Sequence, residues 1–211
     1  MQLWEIVKES GWLIAPIILC SVVALAIIFE RFLSFFMIRY KTVVVVPKVL
    51  TAVRKNNITQ ALDICERMPY YVTNVLKAGL LRVDESKETI KEAMENASFY
   101  EIPKLEHNLN FLATLAHISP LLGLLGTVIG MIECFDVVKR GSINVGMVNP
   151  TDLAGGISKA LNTTAAGLCV AIPAYLAYNY FAHKVNSCVL EMEKSATELL
   201  EILSERSYSE V

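Results

Sequence analysis

The chain is poor in charge. Only 19% of its 211 residues are Asp, Glu, Lys or Arg, and the formal net charge is -2. A balance so close to neutral, with a pI near 6.0, leaves no basic field to draw nucleic acid. Histidine is scarce as well. There are three, each isolated, which argues against a metal cage. The five cysteines (Cys20, Cys65, Cys134, Cys169 and Cys188) are odd in number, scattered, and form no CxxC pair. That excludes a disulfide scaffold and a zinc ribbon. There is no glycine-rich phosphate loop, no GxSxG, no HExxH, and no kinase or Rossmann fingerprint. The expectation is a non-enzyme with no catalytic residue, no cofactor and no metal.

What the chain has is hydrocarbon. Hydrophobic residues make up 54%, and the mean hydropathy is +0.46. Both exceed what a soluble domain of this size carries, and a disordered chain would be poor in apolar residues. The apolar residues form three blocks free of Asp, Glu, Lys and Arg: Gly11 to Phe29, Asn108 to Ile132 and Ala160 to Ala182. Crossing a hydrocarbon core takes about 20 helical residues, and a helix satisfies its own backbone in lipid. Each block reads as a transmembrane helix. The first is not read as a cleaved signal peptide, because Glu5 and Glu9 spoil the basic flank and no A-x-A site follows.

With three spans, the segment between the first two shares a side with the C-terminal tail. That side carries Arg31, Arg39, Lys41, Lys48, Lys91, Lys104, Lys184 and Lys194 near the span ends. The other carries Lys8, Lys139, Arg140 and Lys159. The excess places the insert and tail in the cytoplasm. The insert reads as helices over Ile58–Glu66, Val72–Arg82 and Lys87–Tyr100, with Ile90, Ala93, Met94 and Ala97 on one face. Pro47, Pro69 and Pro103 mark breaks or kinks.

Spans two and three differ from span one in their small residues. Ser119, Gly123, Gly126 and Gly130 recur at helical spacing, and Gly126 to Gly130 is a GxxxG. Ala160, Thr164, Gly167, Ala171 and Ala174 do the same in span three. Such seams let backbones approach closely, which is how helices associate where no water is expelled. Span one is bulkier, with Ile17, Ile18, Leu19, Leu25, Ile27, Ile28 and Phe29, as suits a lipid-facing helix. Thr127 lies near the centre of span two, and Asn162, Thr163 and Thr164 lie early in span three after Lys159. Polar groups within a membrane face a bundle interior or a wet path; a threonine can instead bond its own helix one turn back. His117 and Glu133 are the ionisable residues at the edges of span two. His117 reads either as a proton shuttle or as a packing residue. Beyond span three, Val185, Val189, Met192, Ala196, Leu199 and Leu203 step as a heptad seam. It suits packing against other copies of the chain or against the chain's own insert.

The stretch Pro120-Leu-Leu-Gly-Leu-Leu-Gly-Thr-Val-Ile-Gly-Met-Ile132 resembles the second-span signature of the ExbB/TolQ/MotA proton-channel family. Gly156-Ile-Ser-Lys-Ala-Leu-Asn-Thr-Thr-Ala-Ala-Gly-Leu168 resembles its third-span signature. Ala171-Ile-Pro-Ala174, Tyr178-Asn179 and Phe29-Glu30-Arg31 are similar too. The layout resembles the ExbB/TolQ branch. The resemblance implies an all-α integral membrane protein of the bacterial inner membrane, with three transmembrane helices, a helical cytoplasmic insert between the first and second, and a long helical C-terminal tail. Its parts are expected as a periplasmic N-terminus (1–10), span one (11–38), the insert (39–107), span two (108–135), a periplasmic loop (136–158), span three (159–183) and a cytoplasmic tail (184–211). It implies a homo-oligomer, a pentamer, around two copies of a single-span ExbD/TolR-like partner whose membrane aspartate takes up and releases protons, with a TonB/TolA-like periplasm-spanning protein beyond. Such a stator or channel subunit of a proton-driven motor energises outer-membrane transport or envelope maintenance. Thr127 and Thr164 match the family's pore positions. With Thr163, Asn162 and Lys159 they are the expected ion-pathway residues, and Gly123, Gly126, Gly130, Gly167 and Ala171 the packing seam. Many relatives carry glutamate where this chain has Lys159, so that acid's role is not carried over. The alternatives are a sodium-driven or gliding-type stator of the same superfamily and a non-conducting membrane scaffold.

Overall fold

A computed structural model describes residues 14–143 and 150–209. Among them there are six helices and no strand: α1 (Ile14–Arg54), α2 (Ile58–Arg67), α3 (Tyr71–Leu80), α4 (Lys87–Glu106), α5 (Leu109–Ile143) and α6 (Pro150–Ser209). Three of them hold stretches long and apolar enough to cross a membrane, within Ile14–Phe36, Leu109–Lys139 and Leu153–Glu205. The chain is an all-α membrane protein. The expected N-terminal segment 1–10 lies outside the described residues.

The helices outrun the expected boundaries. α1 continues without interruption to Arg54, well past residue 38. At 1.5 Å per residue its 41 residues span roughly 60 Å, about twice the hydrocarbon thickness. α5 extends to Ile143 and α6 starts at Pro150. Most of 136–158, expected as a loop, is therefore helical, and 144–149 lies outside the described residues. Pro69 does fall between helices, but Pro47 and Pro103 sit inside continuous ones. A proline removes one ladder bond, and helices of this length carry the loss.

The chain divides into two compact units. Among the described residues, one comprises 14–29, 108–143 and 150–179, the other 30–107 and 180–209. In the first, one face of α1 (Ile14, Ile17, Ala24, Ile27) is buried, whereas Leu19, Val22, Leu25 and Phe29 are exposed. An apolar helix with one bare apolar face is what lipid contact requires.

The second unit is built on bulky side chains. Val72, Val75, Leu76 and Leu80 of α3 are buried, as are Ile90, Met94 and Leu105 of α4, Val45, Val49 and Val53 of α1, and Phe181, Val185, Met192, Leu199 and Leu203 of α6. α4 buries Ile90 and Met94 as its spacing predicts. The seam of the tail is rotated slightly from expectation: Cys188 and Ser195 are buried, and Val189 and Ala196 only half so. The seam packs on the chain's own insert. Tyr71 donates to Glu191 at 2.7 Å, Arg54 pairs with Glu198 at 3.2 Å, and a Cβ placed on Gly79 would meet both Met94 and Leu199.

Local signals set the helix ends. Asn57 and Ser86 accept the backbone N–H of Gln60 and Thr89, which satisfies orphan donors at two N-termini. α1 closes through Asn57 N–H to Ala52 O and Asn56 N–H to Val53 O, with Asn56 at φ 60°. That pattern ties off the last carbonyls. Arg31 is buried and donates to the carbonyl of Leu105 at 3.3 Å, in the last turn of α4, where a cation is favoured by the helix dipole. Burial pushes the Cys65 thiol up to about 11, against the smaller pull of Lys77.

Candidate functional site: the seam between α5 and α6

Ser119, Gly123, Gly126 and Gly130 lie on one face of α5 and all are buried. Facing them on α6 are Ala160, Thr163, Gly167, Ala171 and Ala174, also buried. The two small-residue seams of this chain pack against each other. A Cβ on Gly167 would stand 2.6 Å from the Ser119 carbonyl oxygen, and one on Gly123 3.0 Å from Thr164 Cα. One on Gly130 would stand 2.8 Å from Ala160 Cβ. At Gly126 it would run into the Thr163 hydroxyl, and at Gly156 into Cys134 Sγ. The helices are antiparallel, because rising α5 numbers meet falling α6 numbers.

The hydroxyls divide three ways. Thr163 is 1% exposed and donates back to its own helix, to Ala160 O at 2.8 Å. It fills the space left by Gly126, so Thr163, not Thr164, occupies the centre of the seam. Thr164 is half-buried and donates across the seam to Gly123 O at 2.9 Å. Thr127 is half-buried and donates to Leu124 O at 2.7 Å, the local bond open to any helical threonine. Each hydroxyl keeps lone pairs free to accept.

The expected pathway residues do not form one line. At 3.6 residues per turn, roughly 100° per residue, Thr127 lies to one side of the α5 seam and Thr164 to the matching side of α6. In an antiparallel pair those two sides form one edge. Glu133 lies to the other side of α5 and Lys159 to the other side of α6. These two meet there, Lys159 Nζ to Glu133 Oε2 at 2.8 Å and to Oε1 at 3.0 Å. The seam therefore has a hydroxyl edge and an ionic edge. Asn162 is half-buried and lies further round α6 on the ionic side.

The Glu133–Lys159 pair is absent from the sequence reading because 26 positions separate its members. The signal that finds it is the antiparallel register. With Gly123 on Thr164 and Gly130 on Ala160, Glu133 falls within a turn of Lys159. His117 is exposed; its Nδ1 donates to Ala113 O at 2.6 Å, and the ring meets Tyr175 edge-on at 6.2 Å between centroids. Among the described residues no cluster of His, Cys, Asp or Glu suits a metal ion.

The sequence profile of the MotA/TolQ/ExbB proton channel family matches residues 68–194. An ExbB-like biopolymer transport protein of Synechocystis sp. is 34% identical over 171 residues, 81% of this chain and 66% of that relative. The biopolymer transport protein exbB1 of Vibrio cholerae is 30% identical, with 82% of this chain and 76% of that protein covered. The Tol-Pal system protein TolQ of Pseudomonas aeruginosa is 37% identical over 126 residues, 60% of this chain and 53% of its own length.

Proposed function

The chain belongs to the MotA/TolQ/ExbB proton channel family, and on that premise we propose that it is the stator subunit of a proton-driven motor in the bacterial inner membrane. In this reading several copies, five in the simplest ring, surround a single-span ExbD/TolR-like partner, two copies of it, and the partner supplies the membrane carboxylate. The hydroxyl edge of the α5–α6 seam faces that carboxylate. The insert and tail lie in the cytoplasm, which the distribution of Lys and Arg favours. The work leaves through a TonB/TolA-like protein toward outer-membrane transport or envelope maintenance. The chain itself performs no enzymatic chemistry.

The observation that carries the reading is the edge shared by Thr127 and Thr164. Two neutral donors about one helical turn apart in height can each swap a carbonyl for a passing carboxylate. A hydrogen bond to an ionised group is worth about 1.5–3 kcal/mol, enough to hold the acid briefly without the trap of a fixed cation. A proton descending the membrane potential releases about 2.3 kcal/mol per 100 mV, which is comparable.

The test is proton uptake by vesicles holding this chain and its single-span partner under an imposed potential. Thr127→Val should still assemble and cut uptake about tenfold, the loss expected for one such bond. Thr164→Val should do the same, and Thr164→Ser, which keeps the donor, should not. Full uptake in both valine variants would remove the hydroxyls from the mechanism. A second reading has one observation in its favour: every threonine proton here is already given to a carbonyl, as in a scaffold that only packs. Absence of any potential-driven uptake by the parent complex would select it, and uptake driven by sodium in place of protons would select the sodium-driven branch.

A further inference from the structure

We propose that Lys159 and Glu133 are a register clasp: positioning residues that fix the height of α5 against α6, and with it the spacing of Thr127 and Thr164 on the opposite edge. The clasp itself rests on the geometry of the seam. Its consequence for ion movement rests on the function proposed above.

The seam on its own specifies register poorly. Small residues recur every three or four positions on both helices, at 119, 123, 126 and 130 on one and at 156, 160, 163, 167 and 171 on the other. Sliding one helix by a turn, about 5.4 Å, sets small residues on small residues again. Bulky knobs normally select one register, and glycine offers none. The Thr164 bond to Gly123 O does not select either, because every turn of α5 presents another carbonyl. The ion pair is different. A one-turn slip draws Lys159 Nζ, in its present rotamer, away from both Glu133 oxygens. The next acid along α5, Asp136, is exposed and lies further round the helix, away from the seam. Both charges flank the end of a membrane span, where an ion pair is less screened than in bulk water. The side chains are unequally covered, Lys159 25% exposed and Glu133 47%, so the lysine is the more firmly held member.

The clasp also bears on charge. Lys159 is neutralised within the chain on the ionic edge, so the hydroxyl edge faces whatever lies opposite without a fixed cation. A change that frees Lys159 alters register and field together, and a swap of the two residues restores both.

The experiment reads register directly. A Cβ on Gly156 would lie 3.8 Å from Cys134 Cβ, the separation a disulfide spans, so Gly156→Cys places a second thiol beside Cys134, with Cys20, Cys65, Cys169 and Cys188 replaced by alanine. Oxidative cross-linking of the full chain in membranes is quantified by mass spectrometry. Glu133→Gln or Lys159→Gln should slow it about tenfold, and the swap Glu133→Lys with Lys159→Glu should recover it to within about twofold. Lys159→Arg, which keeps the pair if the swap does not fold, should cross-link like the parent. Parent-like rates in either glutamine variant overturn the clasp. So do failure of both the swap and Lys159→Arg to cross-link, and absence of the bond in the parent. Cross-linking needs neither partner nor gradient, so it stands or falls apart from the vesicle experiment.

Discussion

The two compact units hold helices together in opposite ways. Along the α5–α6 seam of one unit, contact is made by leaving side chains out, so that Gly167 approaches the Ser119 carbonyl and Gly123 approaches Thr164. In the unit of insert and tail, contact is made by filling space, and Leu76, Leu80, Met94, Met192 and Leu199 are essentially inaccessible. The solvent explains the difference. In water a buried leucine is stabilised by leaving the solvent. In lipid it gains nothing by leaving one hydrocarbon for another, and close backbone approach is the remaining source of attraction. One unit should therefore fail when bulk is removed, the other when bulk is added.

The largest effect is expected from removing bulk. Leu199 is 0% exposed, and Leu199→Ala should cost the insert-and-tail unit about 3–4 kcal/mol, the transfer and cavity terms together. Hydrogen–deuterium exchange of the detergent-solubilised chain should accelerate in α3 and α4 and leave Gly123 to Gly130 as in the parent. A cost under about 1 kcal/mol would mean that the unit is not held by its core. Adding bulk comes next. Gly167→Ala sets a methyl 2.6 Å from a backbone oxygen and 3.2 Å from Gly123 Cα. Backbone cannot rotate aside, so α5 and α6 must part, at about 2–3 kcal/mol. Faster exchange should then be confined to the facing stretches of those helices, and an unchanged profile would refute the close approach.

Sequence alone reveals faces more readily than partners. The small-residue spacing of spans two and three marks two seams, whose residues are buried except Thr164, which is half-buried. Spacing does not say whether a seam meets another chain or its own neighbour, because the same face serves either. Here the seams of α5 and α6 meet each other, and the tail seam meets the insert. Threonine shows the same limit at finer scale. Thr163 and Thr164 stand three and four residues from Ala160, and a pitch of 3.6 residues favours neither. The choice is made by the empty volume over Gly126, a feature of the opposite helix. The ionic edge was out of reach for a related reason: Glu133 and Lys159 become neighbours only once the antiparallel register is known. Helix ends were obscured in another way. Arg39, Lys41 and Pro47 read locally as the end of a span, but a helix leaving lipid keeps its backbone bonds in water, so α1 has no cause to stop until Asn56 adopts its left-handed turn.

The smallest effect sharpens the contrast, because it comes from the same substitution in the other unit. Gly79 also sits at a close contact, where a Cβ would lie 2.7 Å from Met94 Sδ and 2.9 Å from Met94 Cγ. By distance alone Gly79→Ala should be as harmful as Gly167→Ala. The neighbour differs in kind: it is the end of an unbranched, three-bond side chain that adapts readily. Displacing Met94 in a full core costs about 1 kcal/mol, and replacing glycine by alanine inside a helix returns about the same. The net change should lie within about 1 kcal/mol of zero, with exchange in α3 unchanged. Equal losses at Gly79 and Gly167 would show that proximity alone governs these glycines. A near-neutral Gly79→Ala beside a damaging Gly167→Ala would show that the nature of the atom facing the glycine decides, side-chain terminus in one unit and carbonyl in the other.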